Sequence, residues 1–401
     1  MGCFNADDVT WSPLNGSSTA ASSSSSSAAT SKWSLLSDSM VNIPSARIGH
    51  TAVWNDTAML VWGGVASGGT ALGDGASYNP TTNSWSVITT TNAPTARSAH
   101  TAVWATWGAG GLTKAMIVWG GSSTSCTGSV CNTGARYDSA VDSWTATATL
   151  SVPLARRNHT AIYNGTNMIV WGGRDGGTTA YNSGGKYTPS SDAWTGTDTT
   201  DPDLPVARYE HAAVWSGTYM IIWGGNNGAA TPTFFSNGAL YDSSGNVWLP
   251  MTSTTLEARA GHSSVWTGTE MFVGGGYSIS GGTTTYYRNG GAFNPSGAGA
   301  WGTYPAPPAS FSARAYHTAI WDSLSARMII WGGVDGSAVY QDGAILNPST
   351  TTWSWNAADT SDAPVARAQH TAVWAGDKMI VFGGRNFGDT TRYGNGGYYM
   401  P

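Results

Sequence analysis

All seven histidines of the chain stand in one recurring phrase, Arg-x-x-His. It pairs Arg47 with His50, Arg97 with His100, Arg156 with His159, Arg208 with His211, Arg259 with His262, Arg314 with His317 and Arg367 with His370. Successive histidines lie 50 to 59 residues apart. Self-similarity at such a period marks a repeat architecture, in which one small supersecondary unit is copied and stacked. It overrides the two or three domains that 401 residues would otherwise suggest.

Each histidine opens a short apolar run, such as His50-Thr51-Ala52-Val53-Trp54, and a second run then ends in two glycines, as in Met59-Leu60-Val61-Trp62-Gly63-Gly64. Runs of four to six apolar and β-branched residues bounded by Gly, Asn and Asp read as buried strands. A loop of variable length leads to a third strand carrying an aromatic, and seven residues later a fourth carries tryptophan: Tyr78 and Trp85, Tyr137 and Trp144, Tyr187 and Trp194, Tyr241 and Trp248. The sixth tryptophan-bearing strand drifts (Phe293, Trp301), and the seventh has Leu346 with Trp353. Four short strands make one small antiparallel sheet that cannot bury both its faces alone. Neighbouring sheets must stack, and a closed ring leaves few edges exposed.

This pattern resembles the kelch-repeat β-propeller family, on the double glycine after the second strand, the Tyr of the third and the Trp of the fourth. The resemblance covers about residues 32–401 and implies an all-β, seven-bladed propeller of four-stranded antiparallel blades. The last repeat, from His370 to Pro401, lacks a fourth strand, while Trp33 in Ser31-Lys32-Trp33-Ser34-Leu35-Leu36 looks like a fourth strand with no blade before it. The two fragments complete each other, so the segment around Trp33 is expected to pair beside the strand near Tyr399 and latch the ring.

Residues 1–31 read as a flexible leader or tether, with a Ser/Ala/Thr/Gly-rich tract that includes six consecutive serines from Ser22. Cys3 ahead of it is a possible lipid-anchor site, as in a mature bacterial lipoprotein. No apolar run approaches the ~20 residues of a membrane-spanning helix. With four Lys, fourteen Arg and a net charge of -5, the chain is poorly suited to nucleic acid, which needs basic patches. Cys126 and Cys131, five apart in a Gly/Ser/Thr loop, either close a small disulfide or stay as two thiols. The Ser/Thr/Gly/Trp-rich, Lys-poor character suggests an exported bacterial protein, secreted or at the cell surface.

Sevenfold repetition speaks against catalysis by the Arg-x-x-His phrases, because an active site needs groups in different environments. Each Arg and His is instead expected to hydrogen-bond backbone carbonyls between adjacent blades. No cofactor or metal is expected. A copper site like that of galactose oxidase, a kelch-like enzyme, would need histidines beyond the repeats, and the iron site of kelch specifier proteins would need a Glu, Asp and His spaced four apart. A likeness to sialic-acid mutarotases needs only an Arg and a carboxylate in the central pocket. Glu210, in Arg208-Tyr209-Glu210-His211, is the acidic residue placed for that role.

In a propeller the ring is scaffold, and loops that vary between blades carry recognition. The loops after the double glycines gather Arg174, Asp175, Phe234, Phe235, Tyr277, Tyr287, Arg288, Asp335, Tyr340, Arg385, Phe387, Arg392 and Tyr393. In the kelch resemblance these loops open on the same face as the turns into the first strands. Aromatic faces with Asn, Asp and Arg donors and acceptors suit a glycan or protein ligand. The expectation is therefore a non-enzymatic binding propeller, with a sugar-active enzyme at the channel and a structural envelope or matrix component as the alternatives.

Overall fold

The computed structural model of the protein describes residues 32–36, 40–304, 307–348, 352–355, 360 and 362–401. Seven four-stranded antiparallel sheets and one two-stranded ribbon form the architecture. In the first blade the strands run Thr51–Trp54, Met59–Trp62, Gly75–Asn79 and Ser84–Ile88, from the channel outward. The second blade carries a longer inner hairpin, Thr101–Trp107 with Thr113–Trp119. Blade five adds the ribbon Tyr277–Ser280 with Thr283–Tyr286 in its variable loop. No helix among the described residues is long and apolar enough to cross a membrane.

The latch forms as expected. Lys32–Leu35 pairs antiparallel with Gly396–Met400, in the register Trp33↔Tyr399. The blade that begins at Thr371 is thus completed by the first strand among the described residues. The leader and Cys3 lie outside the described residues.

Packing follows from strand position. Second strands such as Met59–Trp62 and Met220–Trp223 are buried along their whole length, sandwiched between neighbouring blades. Outer strands alternate, and Trp85, Trp144, Trp194 and Trp248 point inward. Six outer-strand tryptophans lie on the aromatic that ends the second strand of the preceding blade, among them Trp144 on Trp62 at 5.4 Å between ring centres, Trp194 on Trp119 at 5.3 Å and Trp33 on Trp331 at 4.9 Å. Aromatic pairs at these separations add about 0.5–1.5 kcal/mol to their area burial. Blade five departs from the rule, with Gly274 where the others have Trp or Phe. There Phe311, from the segment leading into the next blade, is buried beside Phe272 and Ala292.

The double glycine has a steric cause. A Cβ on Gly63 would lie 2.6 Å from His100 Cε1 and 2.8 Å from Arg97 O of the next blade, at φ +66. Only glycine lets the second strand end against the neighbour's Arg-x-x-His phrase.

That phrase bonds in part as expected, to backbone carbonyls, but the arginines do so without crossing between blades. The arginines bond within their own blade: Nε donates to the carbonyl two residues back at 2.8–3.0 Å. Nη1 donates to the carbonyl of the first glycine at 2.8–3.1 Å. The histidines do cross between blades, through Nε2 to hydroxyls, and His50, His100 and His262 also lie against the backbone of Phe382, Trp62 and Trp223 in the preceding blade. His100 Nε2 meets Thr51 Oγ1 at 2.9 Å, and the contacts His159–Thr101, His211–Thr160, His317–Ser263, His370–Thr318 and His50–Thr371 are each 2.8 Å. Ala212 stands where the seventh hydroxyl would be, and His262 Nε2 has none.

Candidate functional site at the channel mouth

Three positions per blade build the mouth of the channel. The residue after each repeat arginine bridges the residue after each double glycine, as in Arg157↔Arg174, Tyr209↔Asn226, Ala260↔Tyr277 and Ala368↔Arg385. The variable loops therefore open on the same face as the segments leading into the first strands. Between them sits the residue before each histidine, in the left-handed region in all seven repeats, with φ from 53 at Ala99 to 62 at Gly49 and Gly261. Amides of this third ring bond the carbonyls of their neighbours, Ala99 to Gly49 at 2.8 Å and Tyr316 to Gly261 at 2.9 Å. The backbone of the mouth is thus fixed while its side chains differ.

They differ asymmetrically. Blades one and two present Ile48, Gly49 and Val65, then Ser98, Ala99 and Ser122. The remaining blades present Arg157, Asn158, Arg174, Tyr209, Glu210, Asn226, Tyr277, Tyr316, Gln369 and Arg385, interspersed with Ala260, Gly261, Ala315, Val334 and Ala368. Glu210 Oε2 accepts the Tyr277 hydroxyl at 2.9 Å and Asn226 Nδ2 at 3.5 Å. Tyr277 packs against Tyr316 at 5.7 Å and Phe234 at 5.5 Å between ring centres. Arg174 lies over the Tyr209 ring at 4.6 Å, and Arg385 Nε donates to Gln369 Oε1 at 2.8 Å. Behind this cluster the channel is lined by Asn158, Glu210, Ala212, Tyr316, Gln369 and the histidines of blades three to seven.

Burial pushes the Glu210 carboxyl up, and the Tyr277 hydroxyl, with the Arg174 charge, pulls partly the other way. Burial and the Glu210 charge hold the Tyr277 and Tyr316 phenols well above their ordinary value. The site is a half-buried hydrogen-bonding surface of one carboxylate, three tyrosines, amides and guanidiniums. Among the described residues no group of three or more His, Cys, Asp or Glu is placed to hold a metal ion.

The structure divides the residues singled out by sequence. Arg174, Phe234, Tyr277 and Arg385 come together at the mouth. Phe235, Tyr287, Tyr340 and Tyr393 instead cover the buried repeat arginines Arg208, Arg259, Arg314 and Arg367, with guanidinium carbons 4.1–4.5 Å from their ring centres, as Tyr181 covers Arg156. Asp175 and Asp335 accept backbone amides of their own turns, and Asp335 also accepts the Tyr340 hydroxyl. Arg392 pairs with Asp389 and donates to the carbonyls of Val65 and Ala66 at 2.9 and 2.5 Å, clasping the last blade to the first. Arg288 and Phe387 are exposed at the rim. Cys126 and Cys131 form a disulfide.

Sequence reasoning passed over Arg157, Asn158, Tyr209, Tyr316 and Gln369. Their signal was present, because the two middle positions of Arg-x-x-His vary from blade to blade while its ends do not.

The Attractin/LZTR1 beta-propeller family model matches residues 14–285. The chain belongs to the kelch-repeat β-propellers. For this kelch propeller a second model, the KLHDC2/KLHL20/DRC7 Kelch-repeats domain, matches residues 293–399. Kelch domain-containing protein 3 of Bos taurus and of Homo sapiens are each 26% identical over 176 residues, 41% of this chain and 45% of the relative. The aligned segment thus spans about half the length of these relatives.

Proposed function

We propose that this kelch propeller is a non-enzymatic recognition module that binds a glycan or protein partner through its loop face, at the mouth centred on Glu210 and Tyr277. Kelch propellers commonly serve as protein-interaction scaffolds, which supports a binding role. The observation that carries the reading is the one-sided mouth. A purely structural ring has no need of a half-buried carboxylate, three tyrosines and unequal amide and guanidinium groups at this mouth, all of them on the third to seventh blades. The Cys126–Cys131 bridge supports an oxidising compartment, hence secretion or display at the cell surface.

The test is a glycan array and a pull-down with the intact chain beside Tyr277→Ala and Tyr316→Ala. Ligand retained by the wild type and lost from both variants, with each variant still unfolding cooperatively, supports the reading. Equal binding by all three proteins would remove the mouth as the site.

A sugar-active site is the second reading, favoured by the raised Glu210 carboxyl, since a general acid or base works best with its pKa near the operating pH. Anomer exchange of sugars, followed by NMR with wild type and Glu210→Gln, tests it. Identical exchange in both would rule it out.

A further inference from the structure

Most arginines of this chain have an assigned partner. Seven sit in the repeat phrases; Arg327 and Arg392 pair with Asp322 and Asp389, and Arg136 donates to the Pro189 carbonyl. Arg157 and Arg174 are different. They are bridge partners across the mouth of blade three, each amide bonded to the other's carbonyl at 2.9 Å. Residues directly opposite in an antiparallel pair project on the same side, and like charges there are destabilising. Both side chains are half-buried, and the Nε of each is buried without an acceptor.

Neither guanidinium forms an ion pair among the described residues. Arg174 is held flat over Tyr209. Arg157 reaches only the Gly176 carbonyl, at 3.5 Å. Asp175, the adjacent carboxylate, spends Oδ1 on the amides of Gly177 and Thr179. Burial and the neighbouring Arg174 charge both push the Arg157 guanidinium toward its neutral form, and Tyr209 and Asp175 offset this only in part. Two half-buried like charges with open donors are complementary to an oxyanion, which guanidiniums bind through paired, charge-assisted hydrogen bonds.

We propose that Arg157 and Arg174 form the anion-binding end of the loop-face site and take the carboxylate or sulfate of an acidic saccharide. The assignment rests on the loop-face reading. Glu210, Asn226 and Tyr277 beyond them offer acceptors and donors for hydroxyls, and Tyr316 an aromatic face. A ligand with one anionic group and several hydroxyls matches this arrangement. A peptide carrying a run of acidic residues would bring a second carboxylate onto Glu210.

The experiment uses the full chain, Arg157→Gln, Arg174→Gln and the double variant. Each is screened against uronate-bearing, sulfated and neutral saccharides and against an acidic peptide. Melting in sodium sulfate is compared with sodium chloride at equal ionic strength. Acidic saccharides should bind the wild type, at least tenfold more weakly to each single variant, and not measurably to the double. Sulfate should protect the wild type more than the double variant. Without ligand the double variant should melt at or above the wild-type temperature, because a like-charge pair has gone; that readout also shows that it folds.

Equal saccharide binding by wild type and double variant would overturn the proposal. Binding of neutral saccharides alone, lost in Tyr277→Ala, would overturn it and leave the loop-face reading standing. Selective protection by sulfate with no saccharide bound would make the site one for a free anion. Capture of the acidic peptide in place of the saccharides would overturn the saccharide assignment.

Discussion

Lowering the pH should unfold this protein steeply, through its histidines. All seven are enclosed, and burial, reinforced by the neighbouring repeat arginine, holds every one well below the ordinary value, with His262 and His317 near 3. Six share Nε2 with a Thr or Ser hydroxyl, and no carboxylate is among the causes that shift any of them. A base whose pKa is depressed by folding stabilises the native state fully above its unfolded value. That contribution is lost as the pH falls below about 6.5, because only the unfolded chain takes up the proton. The limit is about 1.4 kcal/mol per pH unit for each histidine. Seven give at most about 10 kcal/mol per unit, against a total stability of roughly 5–15 kcal/mol for ordinary proteins. Glu210, raised by burial, acts in the opposite sense and offsets one proton at most. The assay is guanidinium unfolding followed by tryptophan fluorescence from pH 8 to 5, with proton uptake measured calorimetrically in two buffers. Stability unchanged between pH 7 and 5, or an uptake of fewer than two protons at pH 5.5, would refute the reasoning.

Ala212→Thr should complete the hydroxyl ring at His262 and stabilise by about 1 kcal/mol, the net value of one hydrogen bond; with an unfolding entropy of about 2.1 cal/mol/K per residue this raises the melting temperature by only 1–2 °C. Thr101→Ala, which strips His159 of its partner, should lower stability by about 1–3 kcal/mol, and chemical denaturation distinguishes the two. Trp33→Ala should open the latch at a cost of about 3–5 kcal/mol, since Trp33 packs on Trp331 and Tyr399; limited proteolysis should then clip the strand Gly396–Met400 first. Tyr287→Ala should lower the melting temperature by uncovering Arg259 and leave binding at the mouth intact, whereas Tyr277→Ala, which takes the hydroxyl donor from Glu210, should cost about 1–3 kcal/mol and also reduce binding.

The mouth shows where reading by residue type fails. Phe235 and Tyr277 look equally available in sequence, yet one covers Arg208 and the other hydrogen-bonds Glu210, which comes from a different blade and lies 67 residues away. Position relative to the double glycine sorts them: the residue immediately after it faces the mouth, whereas Phe235 aligns with the aromatics that cover the repeat arginines.

Sequence by itself determined the ring. The period of the Arg-x-x-His phrase set seven blades, the apolar runs set the strands, and the orphan strand at Trp33 set the closure. Each of these is a local or periodic property, carried by residues a few positions apart. Tertiary structure alone decided which groups meet across blades. The hydroxyl that serves His159 comes from Thr101, and the like charges of Arg157 and Arg174 are opposed only once two separate segments bridge. Such contacts depend on how neighbouring sheets stack and on which side of a bridge a side chain projects, and no local pattern in the chain records either.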